Sequence, residues 1–187
     1  MPEKALFLDR DGVINQRLRG DYVRHPDEFI FEKNALQALR LLAQIFSPIV
    51  VVTNQAGIGK GRMTHADVRA VHEKMLAEIG RAGGRIDAVY YCPHRPEDGC
   101  SCRKPAPGMA YEAQRAFPRI AFAAAWMVGD SYSDMLMGDA LGMRTALIAG
   151  KEEDATLLEN FPVTGRFSSL WDFARYCEAN MPQDKPA

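Results

Sequence analysis

The sequence predicts an open, doubly wound α/β fold, a Rossmann-like parallel sheet with helices on both faces. Apolar runs without internal Gly or Pro recur along the chain, and amphipathic helical patterns lie between them. The polar residues that suggest chemistry follow the ends of those runs, as they do in open parallel sheets.

The runs Ala5 to Leu8, Ile49 to Val52, Ile86 to Tyr91, Ala125 to Val128 and Thr145 to Ala149 read as buried parallel strands. Leu36, Leu39, Leu42 and Ala43 share one helical face, and so do Val68, Val71, His72, Met75 and Ile79. That second helix has a start signal in Thr64 and Asp67, spaced as a capping box, and a stop in Gly83-Gly84. Pro107 can open a third helix through Gln114, and Asp134 to Leu141 reads as a fourth that stops at Gly142. Trp171, Phe173 and Tyr176 suit the core-covering face of a closing helix, with Cys177 a buried free thiol. Two polar stretches rich in turn residues break the rhythm, Asn15 to Glu32 and Cys92 to Pro107. Residues 1–180 are expected to form one domain, and residues 181–187 a loose tail.

The 187 residues are 47% hydrophobic, enough for a full core in one domain. Lys and Arg number 23 against 24 Asp and Glu, so no overall field draws the chain to nucleic acid or an anionic membrane. No basic stripe interleaved with aromatics suggests nucleic-acid binding either. An anionic small molecule must then be met by local groups. The apolar run near the N-terminus is too short for a signal peptide or a membrane span, which makes the cytoplasm the expected location. A monomer is expected, because no sustained heptad or bare apolar helix face suggests assembly.

Asp9 and Asp11 are two apart where the first strand ends, so both carboxylates can face one site. Such a pair suits a hard cation like Mg²⁺, although a bare Asp-x-Asp is more often a solvated turn. Further partners follow later strands: Thr53-Asn54-Gln55 after the second, Lys104 after the third, and Gly129-Asp130-Ser131 with Asp134 after the fourth. A threonine hydroxyl, a lysine and backbone N–H groups can hold phosphate oxygens, and Mg²⁺ would offset repulsion between Asp9 and an incoming phosphate.

Cys92, His94, Cys100 and Cys102 form a Cys-x-His and Cys-x-Cys set closed by a short loop. Three thiolates and one imidazole are a complete tetrahedral shell, so Zn²⁺ here would be structural and would fix the loop leading into Arg103 and Lys104. Unpaired thiols or a disulfide are the plainer alternative.

The ordered motifs FLDRDGV, VVTNQ, RKP and VGDSYSD resemble those of the haloacid dehalogenase (HAD) superfamily of phosphohydrolases. With CPHRPEDGCSCRKPAPGM, the resemblance narrows to the D-glycero-D-manno-heptose-1,7-bisphosphate 7-phosphatase and histidinol-phosphate phosphatase group. The resemblance implies a Mg²⁺-dependent phosphatase acting on a small phosphate ester, with no large cap domain. Asp9 would be the nucleophile that forms an aspartyl-phosphate, and Asp11 the general acid and base. Asp9, Asp11 and Asp130 would hold Mg²⁺, with Asp11 contributing its backbone carbonyl. Thr53 and Lys104 would hold the phosphoryl group, and Asp134 would brace Lys104 or metal-bound water. The heptose bisphosphate leads as substrate, with lipopolysaccharide or surface-glycan precursor synthesis as the pathway, and histidinol phosphate or another sugar phosphate is the alternative.

Without a cap, substrate contacts are expected from Asn54, Gln55, Arg103, Asp21 and Tyr22, although Arg103 could instead pair with Glu97 or Asp98. His25, His65 and His72 read as surface, cap and helix-face residues. Two non-enzymatic alternatives fit less well. A receiver-type signalling domain needs its phosphate-accepting aspartate at a middle strand end, where Thr53 and Cys92 stand. A zinc-stabilised binding module leaves Asp9, Asp11, Thr53 and Asp130 unexplained.

Overall fold

The computed structural model describes residues 4–148 and 154–181. Among these residues, six parallel strands form one sheet in the order β3-β2-β1-β4-β5-β6. They are β1 Leu6–Leu8, β2 Ile49–Asn54, β3 Ala88–Cys92, β4 Trp126–Gly129, β5 Arg144–Ile148 and β6 Gly165–Phe167. The chain leaves β1 toward β2 and β3, then returns to β4 on the other side of β1. The strand order therefore reverses at β1, and the crevice beyond its carboxyl end is where such folds bind ligands.

Side-chain alternation divides the core between the two faces of this sheet. Leu6, Leu8, Ile49, Val51, Trp126 and Val128 pack on one side with α1 (Ala35–Leu42), α2 (His65–Arg81) and α6 (Leu170–Asn180). Phe7, Val50, Val52 and Met127 pack on the other with α3 (Gly108–Ala116) and α4 (Tyr132–Ala140). Because both faces are covered, the strands carry continuous apolar runs, which is why they were legible.

Local chemistry starts and stops the helices as expected, with small shifts. Thr64 and Asp67 cap α2 reciprocally. In α4 the capping box is Ser131 and Asp134, so the helix begins at Tyr132, two residues before the expected start. Gly83 and Gly142 adopt positive φ just beyond α2 and α4, a conformation glycine takes without a Cβ penalty. Pro107 caps α3, which continues to Ala116. In α6, Phe173 is fully buried against Phe46 and Trp126, Trp171 is half-buried, and Tyr176 is exposed at its edge. Cys177 is buried, and burial pushes its thiol up to about 12.

Strand β6 and helix α5 (Ala155–Glu159) were not expected from the sequence. Three residues reading Gly-Arg-Phe carry no strand pattern, and only pairing with Ala146, Leu147 and Ile148 makes them one. The expected fifth-strand residue Ala149 and the tail 182–187 lie outside the described residues. Asn15 to Glu32 is ordered without long elements: Val23 and Phe29 are buried, and Lys74 of α2 donates to the Pro26 carbonyl at 2.8 Å. Among the described residues, no helix is long and apolar enough to cross a membrane.

Candidate active site

The ends of β1, β2 and β4 bring Asp9, Thr53, Asp130 and Asp134 into one buried crevice, with Lys104 reaching in from the loop after β3. The Asp9 N–H donates to the Val128 carbonyl at 2.9 Å, which ties the end of β1 to β4. Asp9 Oδ1 accepts from the Arg10 N–H at 2.8 Å and lies 2.8 Å from Lys104 Nζ. Lys104 Nζ also lies 2.7 Å from Asp134 Oδ1 and donates to the Val52 carbonyl at 2.7 Å. Three acceptors match the three hydrogens of the ammonium. Burial works against the Lys104 charge, but Asp134 and Asp9 outweigh it and hold its pKa above the usual lysine range.

Asp134 is braced in turn: its Oδ2 accepts from the Ser131 N–H at 3.0 Å and the Ser131 hydroxyl at 2.5 Å. The lysine contact expected of Asp134 is therefore present. Asn54 points its amide at the backbone of Lys104, accepting from its N–H at 3.0 Å and donating to its carbonyl at 3.2 Å. Gln55 Nε2 donates to Thr53 Oγ1 at 2.9 Å and to Asp11 Oδ2 at 3.0 Å. Both residues, expected as substrate contacts, thus hold other site residues in place.

The Asp11 side chain differs most from expectation. Its carboxylate accepts from Arg10 Nη2 at 2.9 Å on each oxygen, from Asn15 Nδ2 at 3.0 Å and from Gln55. Burial raises its pKa, but the Arg10 charge and these hydrogen bonds outweigh it, and the carboxyl sits below its ordinary value. The carboxylates that converge are those of Asp9, Asp130 and Asp134, with oxygens within 4.8 Å of one another. The Asp11 side chain, expected beside Asp9 and Asp130, instead accepts the Arg10 fork at the wall of the adjoining cleft.

This buried all-oxygen set fits a hard divalent cation such as Mg²⁺. Gly12 is part of the fit. At φ +86 its backbone passes so close to Asp130 that a Cβ would lie 2.2 Å from Oδ2, so any larger residue would push the carboxylate aside.

Cys92, His94, Cys100 and Cys102 also come together, with ligand atoms within 4.8 Å of one another. Cys102 Sγ lies 3.1 Å from Cys92 Sγ, and His94 Nδ1 lies 3.2 Å from Cys102 Sγ. Burial pushes the Cys92 and Cys102 thiols up, whereas at Cys100 backbone and thiol hydrogen bonds outweigh burial and bring it down to about 7. Three sulfurs and one imidazole nitrogen fit a tetrahedral Zn²⁺. Arg103 folds back on this loop, with Nη1 3.4 Å from the His94 carbonyl, and joins neither Glu97 nor Asp98.

Beside Asp11 opens a cleft of about 370 Å³ lined by Arg17, Asp21, Tyr22, Asn54, Lys60 and Arg62, among others. Asp21 bonds to the Tyr22 N–H and to Arg24, and Lys60 Nζ sits 5.7 Å above the Tyr22 ring. Lys60 and Arg62 were missed in the sequence, although Gly59-Lys60-Gly61-Arg62, directly after the second strand's motif, offered a signal. Arg10 and His72 were missed as well, because each is indistinguishable from a core residue until its partner is known.

A HAD-hydrolase-like family model matches residues 101–173. The D-glycero-beta-D-manno-heptose-1,7-bisphosphate 7-phosphatase of Neisseria meningitidis serogroup A is 38% identical over 177 residues, 92% of this chain and 94% of that protein. The D-glycero-alpha-D-manno-heptose-1,7-bisphosphate 7-phosphatase of Mycobacterium bovis is 37% identical over 174 residues, 91% of this chain and 89% of that protein. The crystal structure of D,D-heptose 1,7-bisphosphate phosphatase from B. bronchiseptica, complexed with magnesium and phosphate, is similar with a TM-score of 0.85 and 34% identity. It covers 94% of this chain and 98% of that one. The chain belongs to the HAD-like hydrolases and is a phosphoric monoester hydrolase.

Proposed function

We propose that this phosphatase removes the 7-phosphate of D-glycero-D-manno-heptose 1,7-bisphosphate, with Asp9 as nucleophile and Mg²⁺ as cofactor. The observation that carries the substrate is the basic wall of the cleft beside Asp11. Lys60 and Arg62 there have no carboxylate partner among the described residues, and a guanidinium and an ammonium suit a phosphate held at a distance from the reacting one. The similarity to heptose-bisphosphate phosphatases supports the same class.

Asp9 and Asp130, with the Asp11 backbone carbonyl, would hold Mg²⁺, and Asp134 lies near enough to act on the ion or its water. When bound, the ion offsets the negative charge that otherwise keeps a carboxylate and a phosphate apart. In the first half-reaction an Asp9 oxygen forms a bond to phosphorus as the bond to the sugar oxygen breaks, and Asp11, whose pKa the negative charge of the entering phosphate raises against the pull of the Arg10 fork, gives that oxygen a proton. In the second, Asp11 takes a proton from water, the water oxygen bonds to phosphorus, and Asp9 is released with inorganic phosphate. Lys104 balances charge on Asp9 and the transferring group, and the Thr53 hydroxyl donates to a phosphoryl oxygen. Zn²⁺ on the Cys/His loop would be structural, fixing the loop that leads into Lys104. A reducing cytoplasm is the setting that keeps such thiols available.

The test is phosphate release, with Mg²⁺ and then with EDTA, from both anomers of the heptose bisphosphate, histidinol phosphate and a 5′-phosphorylated oligonucleotide. A Mg²⁺-dependent preference for one bisphosphate anomer is expected, while faster turnover of histidinol phosphate or the oligonucleotide would overturn the substrate.

A further inference from the structure

Arg10 is fully buried although it stands between two site carboxylates in the sequence. Its Nη2 forks onto Asp11, 2.9 Å from each oxygen, and its Nη1 lies 3.1 Å from Nε2 of His72. A guanidinium only donates, so His72 Nε2 must accept, which fixes the ring as the Nδ1–H tautomer. Burial, and then the Arg10 charge, push His72 down to about 3, so it stays neutral and keeps the lone pair this contact needs. His72 lies on the buried face of α2 between Val68, Val71 and Met75, so it is a fixed anchor.

The plainer reading is a buried polar group that happens to be satisfied. Two observations count against it. Burying a guanidinium costs more than burying an apolar side chain of similar size, and here Nε is left without a hydrogen-bond partner. The acceptor of the fork is the side chain to which the proton transfer is assigned, held in a geometry that Asn15 and Gln55 complete.

We propose that His72 and Arg10 are positioning residues for phosphoryl transfer: His72 fixes the guanidinium, and the guanidinium fixes where the Asp11 carboxyl sits relative to the leaving oxygen. The inference rests on Asp11 as proton donor. Its consequence is selective. A sugar alkoxide is a poor leaving group and needs that proton, whereas p-nitrophenolate hardly does. Freeing the guanidinium should therefore slow one and spare the other.

The experiment is a set of single turnovers with enzyme in excess and Mg²⁺ present, comparing release of the alcohol from the heptose bisphosphate with release of p-nitrophenolate from p-nitrophenyl phosphate. In His72→Phe, alcohol release is expected to fall by about 10-fold to 100-fold, the scale of a small misplacement of a reacting group, while p-nitrophenolate release changes by less than about 3-fold. His72→Gln, whose amide oxygen can accept from Arg10, should recover most of the loss. Arg10→Lys, which cannot fork onto Asp11 and reach His72 together, repeats the test should the phenylalanine variant not fold. Equal slowing of both substrates, or no slowing of either, would overturn the positioning role. Asp11→Asn is the reference: if it slows both leaving groups alike, the assignment of Asp11 as proton donor fails, and that failure is seen separately from any result at His72.

Discussion

Asn54 and Lys104 hold each other in both directions, the asparagine amide accepting from the lysine N–H at 3.0 Å and donating to its carbonyl at 3.2 Å. The pair fixes the backbone of a loop residue to the end of β2, and the lysine's ammonium then reaches Asp9, Asp134 and the Val52 carbonyl. Asn54→Ala removes both bonds. We expect a loss of stability of about 1 to 2 kcal/mol and a fall in kcat of roughly 10-fold to 100-fold, because the charge-balancing group is no longer held. Asn54→Leu with unchanged kcat would show that Lys104 is placed by its ammonium contacts alone.

Asp9→Asn keeps the shape of the side chain but removes the nucleophilic charge and one of the Lys104 partners. Turnover should fall below detection while the protein still melts cooperatively. Residual activity within about 100-fold of wild type would end the covalent proposal.

The basic wall of the cleft is tested by the double variant Lys60→Ala with Arg62→Ala. For the heptose bisphosphate, KM should rise by about 10-fold or more with kcat little changed, as expected when binding energy is lost equally from ground and transition states. The heptose 7-monophosphate, which lacks the distal phosphate, should be unaffected. A parallel loss on both substrates would remove the cleft from the specificity argument.

Protein purified in reducing buffer should carry about one zinc per chain on the Cys92, His94, Cys100 and Cys102 set, as structural sites of this ligand type do. Chelation should lower Tm by at least about 5 °C, because the metal's binding energy is folding energy for its loop. Restoring Mg²⁺ alone should not recover the melting temperature, whereas Zn²⁺ should. Metal analysis that finds no zinc would sink this assignment.

His72 gives a pH dependence of stability with a definite sign. Its pKa is lowered on folding from 6.5 to about 3, so between those values the unfolded chain binds the proton and the folded chain does not. The contribution is complete above the unfolded value and is lost as pH falls from about 6.5 toward 3. Denaturant melts of wild type and His72→Gln should therefore converge as the pH is lowered through this range. A stability difference that does not change with pH would show that the folded ring titrates normally.

The sequence by itself determined five of the six strands of the sheet, the ends of α2 and the candidate residues that the sheet edge brings together. Strands covered on both faces leave continuous apolar runs, a cap leaves a local spacing such as Thr64 with Asp67, and the paired acids must follow the first strand for a parallel sheet to bring them to its edge. The metal-type loop was legible for the same reason: its Cys and His residues lie within eleven positions of one another. Tertiary structure decided what depended on partners distant in the chain. Strand β6 exists through its ladder to β5, and the Asp11 carboxylate turns toward Arg10 because Gln55, 44 residues away, and His72, 62 residues from Arg10, complete the arrangement. Asn54 and Arg103 likewise face backbone carbonyls, which no side-chain pattern advertises. Side-chain direction in a crevice is set by which donors and acceptors converge there, and convergence is a property of the folded chain.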